Sequence, residues 1–199
     1  MYKRILISLV AIGVLTSFMG LGGLSLFTAT TDNDDNAFTS GSVYISTSPD
    51  SAFLTMSNMA PGDSVTAPLT VSNTVSIAGT PVPGTLELRY AVTSTTTEDI
   101  LAGQLQLTIK SGVTTCTNAG FGGSGTVLYG PGVLGTTSAT NVIGNPAQGA
   151  QSGDRTLSAS ANEVLCFSVS LPLSTGNSFQ NLTTTATFAF DAEQTKNNP

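Results

Sequence analysis

Leu165-Cys166-Phe167-Ser168-Val169-Ser170-Leu171 is the stretch that decides the fold. Leu165, Phe167, Val169 and Leu171 take alternate positions, with Cys166, Ser168 and Ser170 between them. Side chains in a strand alternate between faces, so this pattern is a half-buried strand with an apolar and a small, polar side. The period recurs outward along the chain. Val65, Ala67, Leu69 and Val71 alternate with hydroxyl residues, and Leu86, Leu88, Tyr90 and Val92 share a face opposite Glu87 and Arg89. Leu105, Leu107 and Ile109 form another such strand, as do Ala186, Phe188 and Phe190. Val43 with Ile45, and Phe53-Leu54 with Met56, read as two shorter ones. Pro61-Gly62-Asp63 is a turn, because Pro presets φ at the first corner and Gly permits positive φ at the second. Pro68 lacks an amide donor and marks a sheet edge or bulge. Glu98-Asp99-Ile100-Leu101-Ala102 reads as one helical turn, while 79–84 and the Gly- and Ser-rich stretch 111–153 read as loops. The expectation is an all-β, antiparallel jelly-roll or Ig-like β-sandwich of about eight strands over 44–195.

Composition agrees with short strands and turns. Only 9% of the 199 residues are charged, 40% are hydrophobic, and there are 21 Gly. Outside the N-terminal segment only Arg89, Lys110, Arg155 and Lys196 stand against 12 carboxylates. No basic patch can form, so neither nucleic acid nor anionic lipid is an expected partner.

Lys3 and Arg4 precede an uncharged run from Ile5 to Phe27, with Gly20, Gly22 and Gly23 near its end. This is the layout of a secretory signal over 1–27. A retained anchor is the other reading, since the run would reach roughly 34 Å as a helix against a hydrocarbon core of about 30 Å. Export follows from both, and the membrane is met only through this segment. Residues 28–43 form a leader, of which Thr28 to Asn36 is polar and acidic with too little apolar surface to fold alone. Cys116 and Cys166 are the only cysteines. Outside the cell such a pair is expected to oxidise, two free thiols being the other reading. Closing that loop is worth roughly 4 kcal/mol in the chain-entropy model.

Five stretches together carry a resemblance: Phe27-Thr28-Ala29-Thr30-Thr31-Asp32, then Asn36-Ala37-Phe38-Thr39-Ser40-Gly41-Ser42-Val43, then Met59-Ala60-Pro61-Gly62-Asp63-Ser64-Val65, then Leu69-Thr70-Val71-Ser72-Asn73-Thr74 and, after an insertion, Leu88-Arg89-Tyr90. In order and spacing they resemble the TasA–camelysin family of secreted surface and matrix proteins, over about residues 5 to 110. Here Val75 stands where that family usually has Gly, and the 75–84 loop is longer. The resemblance implies cleavage by a dedicated signal peptidase and a jelly-roll sandwich that forms fibres with other copies of itself. In such fibres the leader of one subunit pairs with an open sheet of its neighbour. Thr30, Asp32, Asn36, Phe38, Gly41 and Val43 are the residues it assigns to that step, Phe38 being the apolar plug. A monomeric surface adhesion domain using 111–153 is the alternative, and a carboxylate-based hydrolase a more distant one.

The family also includes proteins described as metallopeptidases. This chain contains no His, hence no H-E-x-x-H helix and no His-dependent triad. Glu98-Asp99 and Asp34-Asp35 read as solvated loop charge rather than a glycosidase pair, and there is no Trp to stack on a sugar. Asp32, Asn33, Asp34 and Asp35 lack the spacing of a calcium loop. Gly122-Gly123-Ser124-Gly125 lacks the Lys of a phosphate loop, and Asn181-Leu182-Thr183 is a glycosylation sequon. The expectation is a protein without enzymatic activity, catalytic residues, metal or other cofactor.

Overall fold

Apolar alternation on strands too short to stand alone forces the strands to pair and two sheets to face each other. The computed structural model, which describes Lys3 and residues 39–198, shows this arrangement. Eleven strands follow one another: β1 (Ser46–Ser48), β2 (Ser64–Ser72), β3 (Thr74–Ile77), β4 (Thr80–Pro83), β5 (Leu88–Thr96), β6 (Gln106–Ser111), β7 (Thr126–Val133), β8 (Thr140–Ile143), β9 (Arg155–Leu157), β10 (Asn162–Ser170) and β11 (Ala186–Gln194). One sheet runs β1-β2-β10-β6-β7; the other runs β11-β5-β8, with β9 also paired to β5. Every strand pairing is antiparallel.

The deciding stretch lies in β10, at the middle of the first sheet. Its register sets Leu165 opposite Leu69, Phe167 opposite Ala67 and Val169 opposite Val65. On its other side Phe167 faces Ile109 and Val169 faces Leu107. These residues meet Leu88, Tyr90 and Val92 of β5 in a single core. Phe167 is fully buried there, with Phe188 of β11 at 5.0 Å between ring centroids. A polar clasp also joins the sheets. The Tyr90 hydroxyl donates to Glu163 on β10 at 2.5 Å, and Arg155 on β9 forms an ion pair with the same carboxylate at 2.6 Å. Burial first, and then the hydrogen bond to Glu163, push the Tyr90 phenol far above its ordinary pKa.

Where the strand count differs from the expected eight, loops have become ladders. The stretch 75–84 is a hairpin of β3 and β4, closed by Ala78 and Gly79, both at positive φ as a two-residue hairpin turn requires. The stretch 111–153 contains β7 and β8; Gly and Pro hide the alternation of β7, and β8 is only four residues long. Conversely, Phe53-Leu54 and Met56 lie on an extended segment outside either sheet, although Phe53 and Leu54 pack against the core. Glu98 does open a turn, accepting from the N–H groups of Ile100, Leu101 and Ala102. Partial desolvation raises its pKa, but the Leu101, Ala102 and Ile100 donors outweigh it and the carboxyl ends below its ordinary value.

The expected signal helix and most of the leader lie outside the described residues. Among the described residues no helix is long and apolar enough to cross a membrane.

Candidate functional site

The two flanks of the sandwich are built differently. At the β7–β8 flank the chain crosses between sheets with several of its backbone groups hydrogen-bonded to the strands it passes. Leu134 N–H donates to the Leu105 carbonyl at 3.1 Å, and Thr96 N–H donates to Thr136 at 2.8 Å. The Ser94 hydroxyl donates to the Leu134 carbonyl at 2.7 Å. Asp99 receives the Thr137 hydroxyl at 3.0 Å.

At the opposite flank lie β2 and β11. Over Ser64–Ser72, β2 is fully paired with β10, but β1 covers only Thr70, Val71 and Ser72 on its other side. Pro68 sits in the part with no partner on that side among the described residues, as its missing N–H permits. β11 pairs with β5 over nine residues and, among the described residues, with nothing on its outer side. It contains neither Pro nor Gly to blunt that edge.

A cavity of about 590 Å³ opens between these two edges. Leu69, Leu105, Leu134 and Val169 form its floor, and Phe188 and Phe190 of β11 form one wall. Segment 49–59 runs across it, with the Phe53 ring 5.2 Å from Phe167 and 6.0 Å from Phe188. Chemically this is an apolar trough flanked by backbone donors and acceptors of β11 that are unpaired among the described residues.

Of the residues assigned to assembly, Thr30, Asp32, Asn36 and Phe38 lie outside the described residues. Gly41 and Val43 lie on their own domain. A Cβ on Gly41 would fall 2.5 Å from Leu86 Cγ, so only Gly lets the chain pass there, and Val43 packs on the core. Ser42 N–H donates to the Thr85 hydroxyl, and the Ser42 carbonyl accepts from Thr85 and Leu86. Asn73, fully buried, brackets the same region: its carbonyl oxygen accepts from Tyr44 N–H, and its amide nitrogen donates to Leu86 and Ser158. The chain is therefore docked on its own domain from Gly41 onward.

The Pro61-Gly62-Asp63 turn has Gly62 at φ +100°. Gly62 N–H donates to Leu171 at 2.7 Å and Leu171 N–H returns a bond to Asp63, so the turn ties the start of β2 to the end of β10. Cys116 and Cys166 are disulfide-bonded, with Cα atoms 5.6 Å apart. The bond pins loop 112–125 over the outer face of the first sheet, where Lys110 Nζ donates to the Phe121 carbonyl and Asn118 donates to the Ser64 carbonyl.

Sequence reading missed the trough itself. Phe188 and Phe190 were legible as a strand face, but which strand β11 pairs with, and on which side, is not written in its own residues. A second cleft, under loop 144–151, holds the buried Arg89 with its Nε 3.0 Å from Glu193 but out of line for a hydrogen bond.

Residues 1–115 match the family of camelysin metallo-endopeptidases. No curated protein matches the chain. The family match overturns the expectation of a protein without enzymatic activity, because the family is described as one of metallo-endopeptidases. That description implies a metal, and the residues present do not fit one. A catalytic zinc takes three protein ligands, usually including His. The chain has no His, its two Cys are bonded to each other, and among the described residues no group of three or more Asp, Glu, Cys or His could hold an ion.

Proposed function

The chain belongs to the camelysin metallo-endopeptidase family, and we propose that it is a secreted surface or matrix protein, a fibre subunit that polymerises by strand donation. The observation that carries the reading is β11: nine residues long, paired on one side among the described residues, and bordering an apolar trough. An incoming extended peptide would satisfy that edge and bury its apolar side chains among Leu69, Phe188 and Phe190. Each backbone hydrogen bond gained is worth about 0.5–1.5 kcal/mol net. The leader supplies such a peptide: residues 28–38 have few folding determinants of their own, and Phe38 is the plug. The donor of one copy then enters the slot of the next, a head-to-tail contact that repeats without closing and so yields a filament.

Electron microscopy of the purified secreted chain tests this directly. Fibres are expected, and removal of 28–36 should abolish them while leaving the near-native circular dichroism of the sandwich. A secreted chain that stays monomeric at high concentration overturns the reading. If that monomer still attaches to cells through 111–153, the adhesion-domain alternative takes its place.

A further inference from the structure

The slot already has an occupant. Segment 49–59 lies across it, yet no backbone group of residues 50–59 hydrogen-bonds to another described residue. Only Phe53, Leu54 and Met59 pack on the core; Asp50, Ser51, Ala52, Thr55, Met56, Ser57 and Asn58 are exposed. A segment held by three side chains and no ladder belongs to the low-stability end of a fold. Its anchor is spelled Asp50-Ser51-Ala52-Phe53, and the leader contains Asp35-Asn36-Ala37-Phe38, the same acid–polar–Ala–Phe order. Residues 28–38 are also equal in length to residues 49–59.

We infer that segment 49–59 is a resident strap in the acceptor slot, displaced during assembly by the Asp35-Asn36-Ala37-Phe38 stretch of a second copy. Phe38 takes the place of Phe53 between Phe167 and Phe188. The exchange runs in that direction because the strap gives up side-chain packing alone, whereas a strand laid along β11 gains packing and a backbone ladder together. The strap meanwhile keeps Phe167 and Phe188 from water before a partner arrives, which delays self-association of the free subunit. The affinity of the slot for a donor is reduced by the fraction of subunits whose strap is in place.

The inference rests on the fibre reading, and its test is built to fail separately. The receptor is the secreted chain carrying Phe38→Ser, which cannot donate; the probe is a synthetic peptide of residues 28–40. Saturable binding is expected, with chymotryptic cleavage after Phe53 and Leu54 rising several-fold as the strap is released. Adding Phe53→Ser to the receptor should tighten peptide binding about tenfold, as loss of an internal competitor does. A Phe38→Ser peptide should neither bind nor expose the strap. Peptide binding that leaves strap cleavage unchanged overturns the inference, as does a Phe38→Ser peptide that works equally well. Should the doubly substituted receptor not fold, the cleavage measurement on the single variant decides alone. Fibres from the wild-type chain without strap release leave the fibre reading standing and remove the strap; strap release without wild-type fibres does the reverse.

Discussion

The β7–β8 flank and the β2–β11 flank close the same core by opposite means. At the first, backbone crosses from sheet to sheet with Leu134 and Thr136 hydrogen-bonded to the strands they pass, and β7 ends its edge with Gly130, Pro131 and Gly132 and two register shifts against β6. At the second, a nine-residue strand free of Pro and Gly borders a trough covered by three side chains of segment 49–59. Pro, Gly and bulges are the usual means of blunting an edge against pairing with other chains. The β7 edge carries all three; on the second flank β2 carries Pro68, while β11 has neither Pro nor Gly and no register shift. The difference teaches that edges are guarded strand by strand, and the unguarded one, β11, is where the fibre proposal places its partner.

The contrast breaks most sharply at the edges themselves. Thr187→Lys with Ala189→Lys on β11 should abolish fibres, whereas Val127→Lys with Val133→Lys on β7 should leave them unchanged by electron microscopy and sedimentation. Equal effects at both edges would remove the asymmetry. Next in size is the disulfide. Cys116→Ser with Cys166→Ser should cost about 4 kcal/mol in denaturant unfolding by the chain-entropy argument. Protease sensitivity should rise in loop 112–125 and not around β11, because the bond ties that loop to β10 in the first sheet.

The clasp beneath β11 sharpens the comparison by pH. Tyr90 has its pKa raised in the folded protein, so its contribution is fully present below the unfolded value and lost as pH rises above it. Stability should therefore fall by about 1.4 kcal/mol per pH unit above about pH 10, and Tyr90→Phe should remove that slope. The smallest effect belongs to Glu98, in the turn that leads to the closed flank. Its pKa is lowered on folding, so its contribution holds above the unfolded value and is lost as pH falls through the folded one. Glu98→Ala should cost about 1 kcal/mol at neutral pH, as loss of a capping acceptor does, and much less in acid.

Local periodicity made the strands at β2, β5, β6, β10 and β11 readable, because alternation of apolar side chains is a property of consecutive residues. The 61–63 turn was readable for the same reason: Pro and Gly act on their own φ angles. The cysteine pairing was expected from there being two thiols and a signal-like N-terminus, and the bond is present. The hairpin of β3 and β4, the strands inside 111–153 and the off-sheet course of 53–56 depended instead on which chain lay alongside. Phe53 shows why: its apolar pattern announced burial, and burial came without a ladder. Which edge stayed open, and what lay across it, was decided only when β10 brought β2 and β6 together and β5 took β11 as its neighbour. Hydrogen bonds between strands join residues far apart in sequence, and a residue's own identity does not name its partner.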